Sequence, residues 1–445
     1  MKKIIYITTL LLVSIYSIGK ADKIVFQAID TIGKHYEPVP WSMIDKISVV
    51  DSLDNVYLKI MTKDNVLRDL NLEEFLVENG NSVPLLIIST DEPLEQIPDK
   101  INYKDATIKI KGFGEYEDFE NSVQIRGRGN TSWIVSDKKP YRLKFGKKQE
   151  LCGLKKSKNY VLTANYTDIS LLQNPIASFI GKMLDLPFTH TMVPVDVILN
   201  GIYRGSYLLT NKPGINSGSV DIDEIKSVMW EIDKNYDEEI KFRSPVYDLP
   251  VMLSDPDMDE ERFEFWKADF EEMEKAVSEG NVEDYIDIDE YARYRIVYDV
   301  LRNGDLYIPK SLKMYKTEGG KYIFGPIWDF DSAMGYEWGS RISYDSKWAF
   351  LETGFCPFMQ KIEKDPKVKE LIAKYTREFL EREEELWRFI EELEKTMETS
   401  AERNNIRWKE LGSWKNNVIL MKNWLGLRLE YLKSIYLPDS TEVSE

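Results

Sequence analysis

Two stretches in the second half of the chain place carboxylates where chemistry is possible. Asn303-Gly304-Asp305 closes a long helical pattern, and Lys321 to Ile327 then leads as a strand into Trp328-Asp329-Phe330-Asp331, with Gly335 shortly after. Carboxylates at a strand exit among Trp and Phe are costly to bury without a cation or a donor. A hard divalent ion with oxygen ligands would offset that cost, and Asp305 would then orient or deprotonate a hydroxyl. The plainer reading is a turn with capping aspartates.

The first half supplies the opposite charge. Arg126-Gly127-Arg128-Gly129-Asn130-Thr131-Ser132 follows a strand, and Trp133 comes next. Two glycines one residue apart let backbone amides approach an anion, and the arginines add charge. A glycine turn between strands with surface arginines satisfies the same pattern. Lys138-Lys139-Pro140-Tyr141-Arg142-Leu143-Lys144 is a basic strand entry, suited to a polyphosphate or to guarding a sheet edge against aggregation. Basic groups and a glycine loop on one side, with acidic metal ligands and a base on the other, describe phosphoryl transfer.

These residues need a frame. Short alternating or apolar runs at Ile24, Ile47, Val56 and Val83 predict a small β-rich unit over residues 22–100. Strands continue through Thr107–Lys111, Val123–Arg126 and Tyr141–Phe145. Apolar residues at helical spacing predict a helix over 170–184, and Asn200-Gly201 between apolar runs predicts a hairpin over 193–209. Helices are expected over 259–276 and 286–301, short strands near 312–316 and 322–326, and helices over most of 358–436. The order predicts an α+β protein of two lobes with a cleft between them.

At this point the sequence resembles the CotH family, named for spore coat protein H. The resemblance rests on a series of ordered blocks between about residue 82 and 436. They include Ile125 to Trp133 with Lys138 to Phe145, Asn159 to Asn174 with its Asp168-Ile169-Ser170, and the Leu199-Asn200-Gly201-Ile202-Tyr203 hairpin. Glu231-Ile232-Asp233, Asn303-Gly304-Asp305, Gly325 to Asp331 and Trp424 to Arg428 complete them. The resemblance implies a two-lobed, atypical protein-kinase-like fold: a β-rich N-lobe over about 101–230 and a helical C-lobe over about 231–436. It implies transfer of the ATP γ-phosphate to protein Ser or Thr hydroxyls with Mg²⁺ or Mn²⁺. Asp305 would match the catalytic aspartate, and Asp329, with Asp331 as its alternative, the metal-binding one. Arg126, Arg128 and Lys139 would face the phosphates, with Lys144 as the other candidate lysine. The chain departs from the family at Ser311, where Asn is frequent, at Gln173, where Arg is usual, and at Thr210-Asn211-Lys212, where many members carry Glu. A kinase-like shell that works in surface or extracellular assembly is the alternative reading.

Composition and the chain ends bound the rest. A net charge of −17 disfavours nucleic acid, whose phosphates need a basic face. Lys2 and Lys3, an apolar run from Ile4 to Ile18 and Gly19-Lys20-Ala21 predict a cleaved signal peptide over 1–21. The run is short for a membrane span, which needs roughly 20 residues. The expectation is therefore an exported protein, periplasmic, surface-bound or secreted, with no stable membrane insertion. A protein substrate or an assembly partner is expected, and residues 437–445 read as a disordered tail. Cys152 and Cys356 leave a disulfide or buried thiols open. With only His35 and His190 beside them, a zinc site is not expected.

Overall fold

The computed structural model describes residues 81–437 except for 93, 95, 254–257, 308, 338–339, 347–355 and 409–411, and backbone strands between residues 25 and 68. The expected leader over 1–21 and all but the first residue of the expected tail lie outside the described residues. In the N-terminal stretch β1 (Val25–Phe26) pairs with β2 (Val39–Pro40), and β3 (Ile44–Ser52), β4 (Asn55–Thr62) and β5 (Leu67–Arg68) form an antiparallel sheet.

Seven strands then close a barrel: β6 (Leu85–Thr90), β7 (Lys104–Lys111), β8 (Phe119–Gly127), β9 (Tyr141–Gln149), β10 (Ser157–Thr163), β11 (Val193–Leu199) and β12 (Ile202–Asn211). The sequence places the apolar run from Val83 with the unit ending at residue 100. In the fold it belongs to the barrel, because β6 lies parallel to β11 and antiparallel to β7. An apolar run of that kind is what a strand covered on both faces requires. Alternate residues fill the interior, among them Ile108, Ile125, Leu143, Val197, Tyr207 and Leu209. The β11–β12 hairpin turns at Asn200 and Gly201, with φ of +50° and +78°. Both signs are those of the tight turn that Asn-Gly favours.

Among the described residues this half also carries the short α1 (Thr131–Val135) and α2 (Gln173–Met183). The second half has its own antiparallel sheet, of which the sequence predicts only the two strands near 312–316 and 322–326. It comprises β13 (Ser227–Ile232), β14 (Lys241–Arg243), β15 (Pro250–Leu253), β16 (Leu312–Thr317) and β17 (Ile323–Phe324), in the order β14-β15-β13-β16-β17. Its centre, β13, pairs with a strand far along the chain, so no local pattern announces it. Trp230 on β13 is fully buried edge-on to Phe242, Phe263 and Phe270. Around the sheet pack α3 (Glu260–Glu279), α4 (Val282–Tyr285), α5 (Ile288–Leu301), α6 (Pro357–Glu363), α7 (Pro366–Leu380), α8 (Glu383–Arg407) and α9 (Trp414–Tyr436). Four of these helices carry side-chain N-caps: Asp259, Asp287, Asp365 and Ser413 each accept from a first-turn amide. Among the described residues no helix is long and apolar enough to cross a membrane. The architecture is thus mixed α+β, with a closed barrel and a five-stranded sheet as its β parts.

Helix α8 locks the barrel to the helical part. The Arg403 guanidinium meets the fully buried Asp196 carboxylate of β11 at 2.6 Å, and Tyr203 and Ser400 each donate to the same carboxylate at 2.7 Å. A cleft of about 1030 Å³ opens between one outer face of the barrel and the second sheet. Both cysteines are buried and unpaired.

Candidate active site

The acidic side of the cleft is built at the end of α5. The helix stops at Arg302, whose φ is +50°, and Asn303 to Tyr307 turn inward. Asn303, fully buried, holds two segments together. Its Nδ2 donates to the Asp329 carbonyl at 2.8 Å, and its Oδ1 accepts from the Asp305 amide at 2.9 Å. Asp329 itself sits at φ +64°, a conformation that costs a non-glycine residue of order 1–3 kcal/mol and persists only when its surroundings fix it. Its Oδ2 accepts from the Ser311 hydroxyl at 3.3 Å. The Ser311 amide in turn donates to Asp233 at 2.9 Å.

The first turn of α2 clamps the other end of this loop. Asn174 donates from Nδ2 to the Asp331 carboxylate and accepts from the Phe330 amide at 3.0 Å. Gln173 accepts from the Ala333 amide at 3.2 Å. Asp168, fully buried, accepts from the Gln173 amide at 2.9 Å. Burial pushes the Asp168 carboxyl up to about 6 despite that bond.

The basic side is the barrel wall. Arg126 and Arg128 line the cleft with the three aspartates; Lys139 and Lys144 do not. Lys139 donates to the Trp133 carbonyl at 2.6 Å, and Lys144 is exposed with its ammonium 5.5 Å from the Tyr103 ring. The lysines that do line the cleft include Lys212 and Lys313. Nor does the glycine loop offer a full amide cradle. The Gly127 amide donates to the Asp99 carbonyl at 2.9 Å and the Arg128 amide to the Pro140 carbonyl at 3.2 Å. Gly127 is a packing residue, since a Cβ there would lie 2.3 Å from the Trp133 ring. It is the arginine side chains that reach the cleft. Arg128 stacks over Trp328 at 5.6 Å, near Asp329 and Asp331.

Electrostatically the site is frustrated as it stands. Asp305 is almost wholly buried; its Oδ1 has no hydrogen-bond partner, and Lys310 approaches Oδ2 only to 3.7 Å. Burial raises its pKa, as does the Asp329 charge, against Lys310. Burial raises Asp331 too, with Asp329 and Asp168 adding to it and Arg128 opposing. Carboxylates that repel one another at the head of a cleft fit a cation. Among the described residues no cluster of three His, Cys, Asp or Glu side chains forms a closed metal cage. A Mg²⁺-type site does not need one, because such an ion takes one or two carboxylates and fills its shell with phosphate and water. Asp329 and Asp331, with the Ser311 hydroxyl beside them, supply that hard oxygen chemistry.

Sequence reasoning missed the residues that assemble the site. Asn303 and Asn174 lay inside the singled-out blocks without a role, and Lys212 was marked only as part of a departure. A polar side chain that must be buried beside an aspartate loop is the one signal that points to the asparagines.

With this geometry in view, the chain can be placed. The CotH family profile, described as CotH kinase protein, matches residues 124–432, and the chain belongs to that family. No curated protein matches it. Membership of that family agrees with a cleft that sets two arginines against one buried and two half-buried aspartates.

Proposed function

We propose that this chain is an exported, metal-dependent protein kinase that transfers the ATP γ-phosphate to Ser or Thr hydroxyls of a protein substrate. The barrel and the sheet-and-helix half are taken as the two lobes of a kinase-like fold, with the nucleotide in the cleft between them. One observation carries the reading. Asp305 keeps a buried carboxylate oxygen without a partner in the cleft that also holds Asp329 and Arg128.

In this reading Asp305 accepts the proton of the acceptor hydroxyl as its oxygen bonds to the γ-phosphorus. The bond from that phosphorus to the β–γ bridging oxygen breaks, and ADP leaves with the electron pair. Arg128 faces the charge on the transferring group. A divalent ion held by Asp329, with Asp331 beside it, would supply charge neutralisation on the phosphate oxygens. Asn303 and Asn174 keep both aspartate segments in register.

A second reading has its own support: a kinase-like shell without activity, acting in surface or extracellular assembly. Ser311 stands where a second metal ligand is frequent in the family, and both Asp331 oxygens are already engaged, one by Asn174 and the other by Thr167 at 3.4 Å. The deciding experiment incubates the mature protein with labelled ATP and Mg²⁺ or Mn²⁺, beside Asp305→Ala and Asp329→Ala. Incorporation by the wild type and its loss in both variants supports the kinase. No incorporation with either metal overturns it in favour of the shell.

A further inference from the structure

The outer barrel wall facing the cleft carries a rank of cations, of which the family resemblance implies a phosphate role only for Arg126. Arg126 on β8 lies directly opposite Arg142 on β9 in the strand register. Arg142 donates to the Asn159 side chain of β10 at 3.1 Å, and the Asn159 carbonyl accepts from the amide of Lys212, just past β12. Four neighbouring strands, in the order β8-β9-β10-β12, thus bring Arg126, Arg142 and Lys212 to one face. That face lines the cleft. Neighbouring strands are about 4.8 Å apart, so the rank extends roughly 14 Å across the sheet.

Two features make this wall incomplete by itself. Like charges directly opposite on paired strands destabilise a sheet. Here they are retained with donors left over: the Nε groups of Arg126 and Arg142 are both buried without partners. Lys212 lines the cleft half-buried, and burial, Arg142 and Lys313 lower its pKa to about 8 against the opposing pull of Glu238 and Glu231. Lys313 at the end of the rank is different, since Glu231 opposite it on β13 takes its charge at 2.6 Å. Buried cationic donors without partners are expensive unless an anion satisfies them.

We infer that the wall formed by Arg126, Arg142 and Lys212 is a track for a phosphate chain, anchored by Lys212, that binds the chain without needing a base or ribose. It rests on the proposed reading of the cleft only in taking the phosphates of the donor as its natural occupant. Lys212 and Arg142 therefore do the work that the sequence assigned to Lys139 or Lys144.

The test uses inorganic tripolyphosphate with the full mature protein, by calorimetry, with and without Mg²⁺. The wild type binds it. Lys212→Met and Arg142→Met weaken binding tenfold or more, Lys212→Arg restores most of it, and Lys144→Met binds as the wild type does. Protection of Lys212 from amine acylation by tripolyphosphate gives the same answer in the wild type alone, should the variants not fold. Absence of binding by the wild type overturns the inference, as do equal affinity in Lys212→Met and Arg142→Met and unchanged acylation of Lys212. The two readings fail separately. Binding that depends on Lys212 in a protein without kinase activity keeps the track and removes the kinase. Kinase activity with an ATP KM indifferent to Lys212→Met does the reverse.

Discussion

Asn174 and Asp331 are joined across 157 residues of sequence by a single side-chain amide. The same amide accepts from the backbone of Phe330, so one residue of α2 fixes both the path of the aspartate loop and the direction of its last carboxylate. Replacing it separates position from charge. Asn174→Asp removes the donor and sets a like charge against Asp331. Transfer is expected to fall at least a hundredfold in steady-state kinetics. Asn174→Ala costs about 1–3 kcal/mol of stability through the unsatisfied partners, read by urea titration.

Asp305 is expected to trade stability for activity. Asp305→Asn removes a buried charge that Asp329 repels, so the melting temperature rises, within the 0.5–2 kcal/mol usual for relieving an active-site cost. Phosphoryl transfer falls by a factor of about 10²–10⁴ with loss of the base. Calorimetry and an ATP assay on one preparation check both halves; a fall in melting temperature contradicts the electrostatic account.

His190 gives a pH dependence outside the cleft aspartates. It is buried, Nε2 meets the Ser219 hydroxyl at 2.6 Å, and Nδ1 has no partner. Burial, with Lys155 and Lys313 adding to it, lowers its pKa to about 3. The folded imidazole stays neutral where the unfolded one, near 6.5, takes a proton. This contribution is present in full above pH 6.5 and is lost as pH falls towards 3, by about 1.4 kcal/mol per unit. Between pH 7 and 5 the wild type should lose about 2 kcal/mol more than His190→Gln. In NMR spectra the ring protons of His190 should show no titration step down to pH 4.5.

Arg428 explains why the C-terminal helix belongs to the site's frame. Its guanidinium bonds the Asp299 carboxylate at 2.9 Å and the Asp299 carbonyl at 3.1 Å, on the last turn of the helix that delivers Asn303. Arg295 holds the same carboxylate from the other side. Arg428→Ala leaves part of a buried charge network unpaired and should cost about 3–5 kcal/mol in chemical denaturation. Arg428→Met, which fills the volume, should cost less.

Much of this protein is local and therefore legible. The Asn200-Gly201 turn, the spacing of Leu171 to Met183 and the helices after residue 358 follow from φ preference and apolar period, which act over a few residues. The family blocks likewise carried Asp305, Asp329, Asp331, Arg126 and Arg128 to a single cleft. The remainder depends on partners distant in the chain. β6 joins the barrel because β11, more than a hundred residues later, supplies its second edge. β13 is a strand because β16 lies beside it.

The sequence by itself determined which residues are charged, which turns are tight and where helices begin. Only the tertiary structure decided which charges face the cleft. Arg142 and Lys144 are two residues apart and share the outer face of β9, yet only Arg142 lies far enough along the strand to line the cleft, and Lys144 stays exposed. Lys212 became a cleft residue because β12 ends beside β10, and the orphaned oxygen of Asp305 arose because α5 stops inside the core rather than at its surface. Composition fixes the inventory of charge; strand register and helix termini fix which part of it is denied water, and so which part can bind or react.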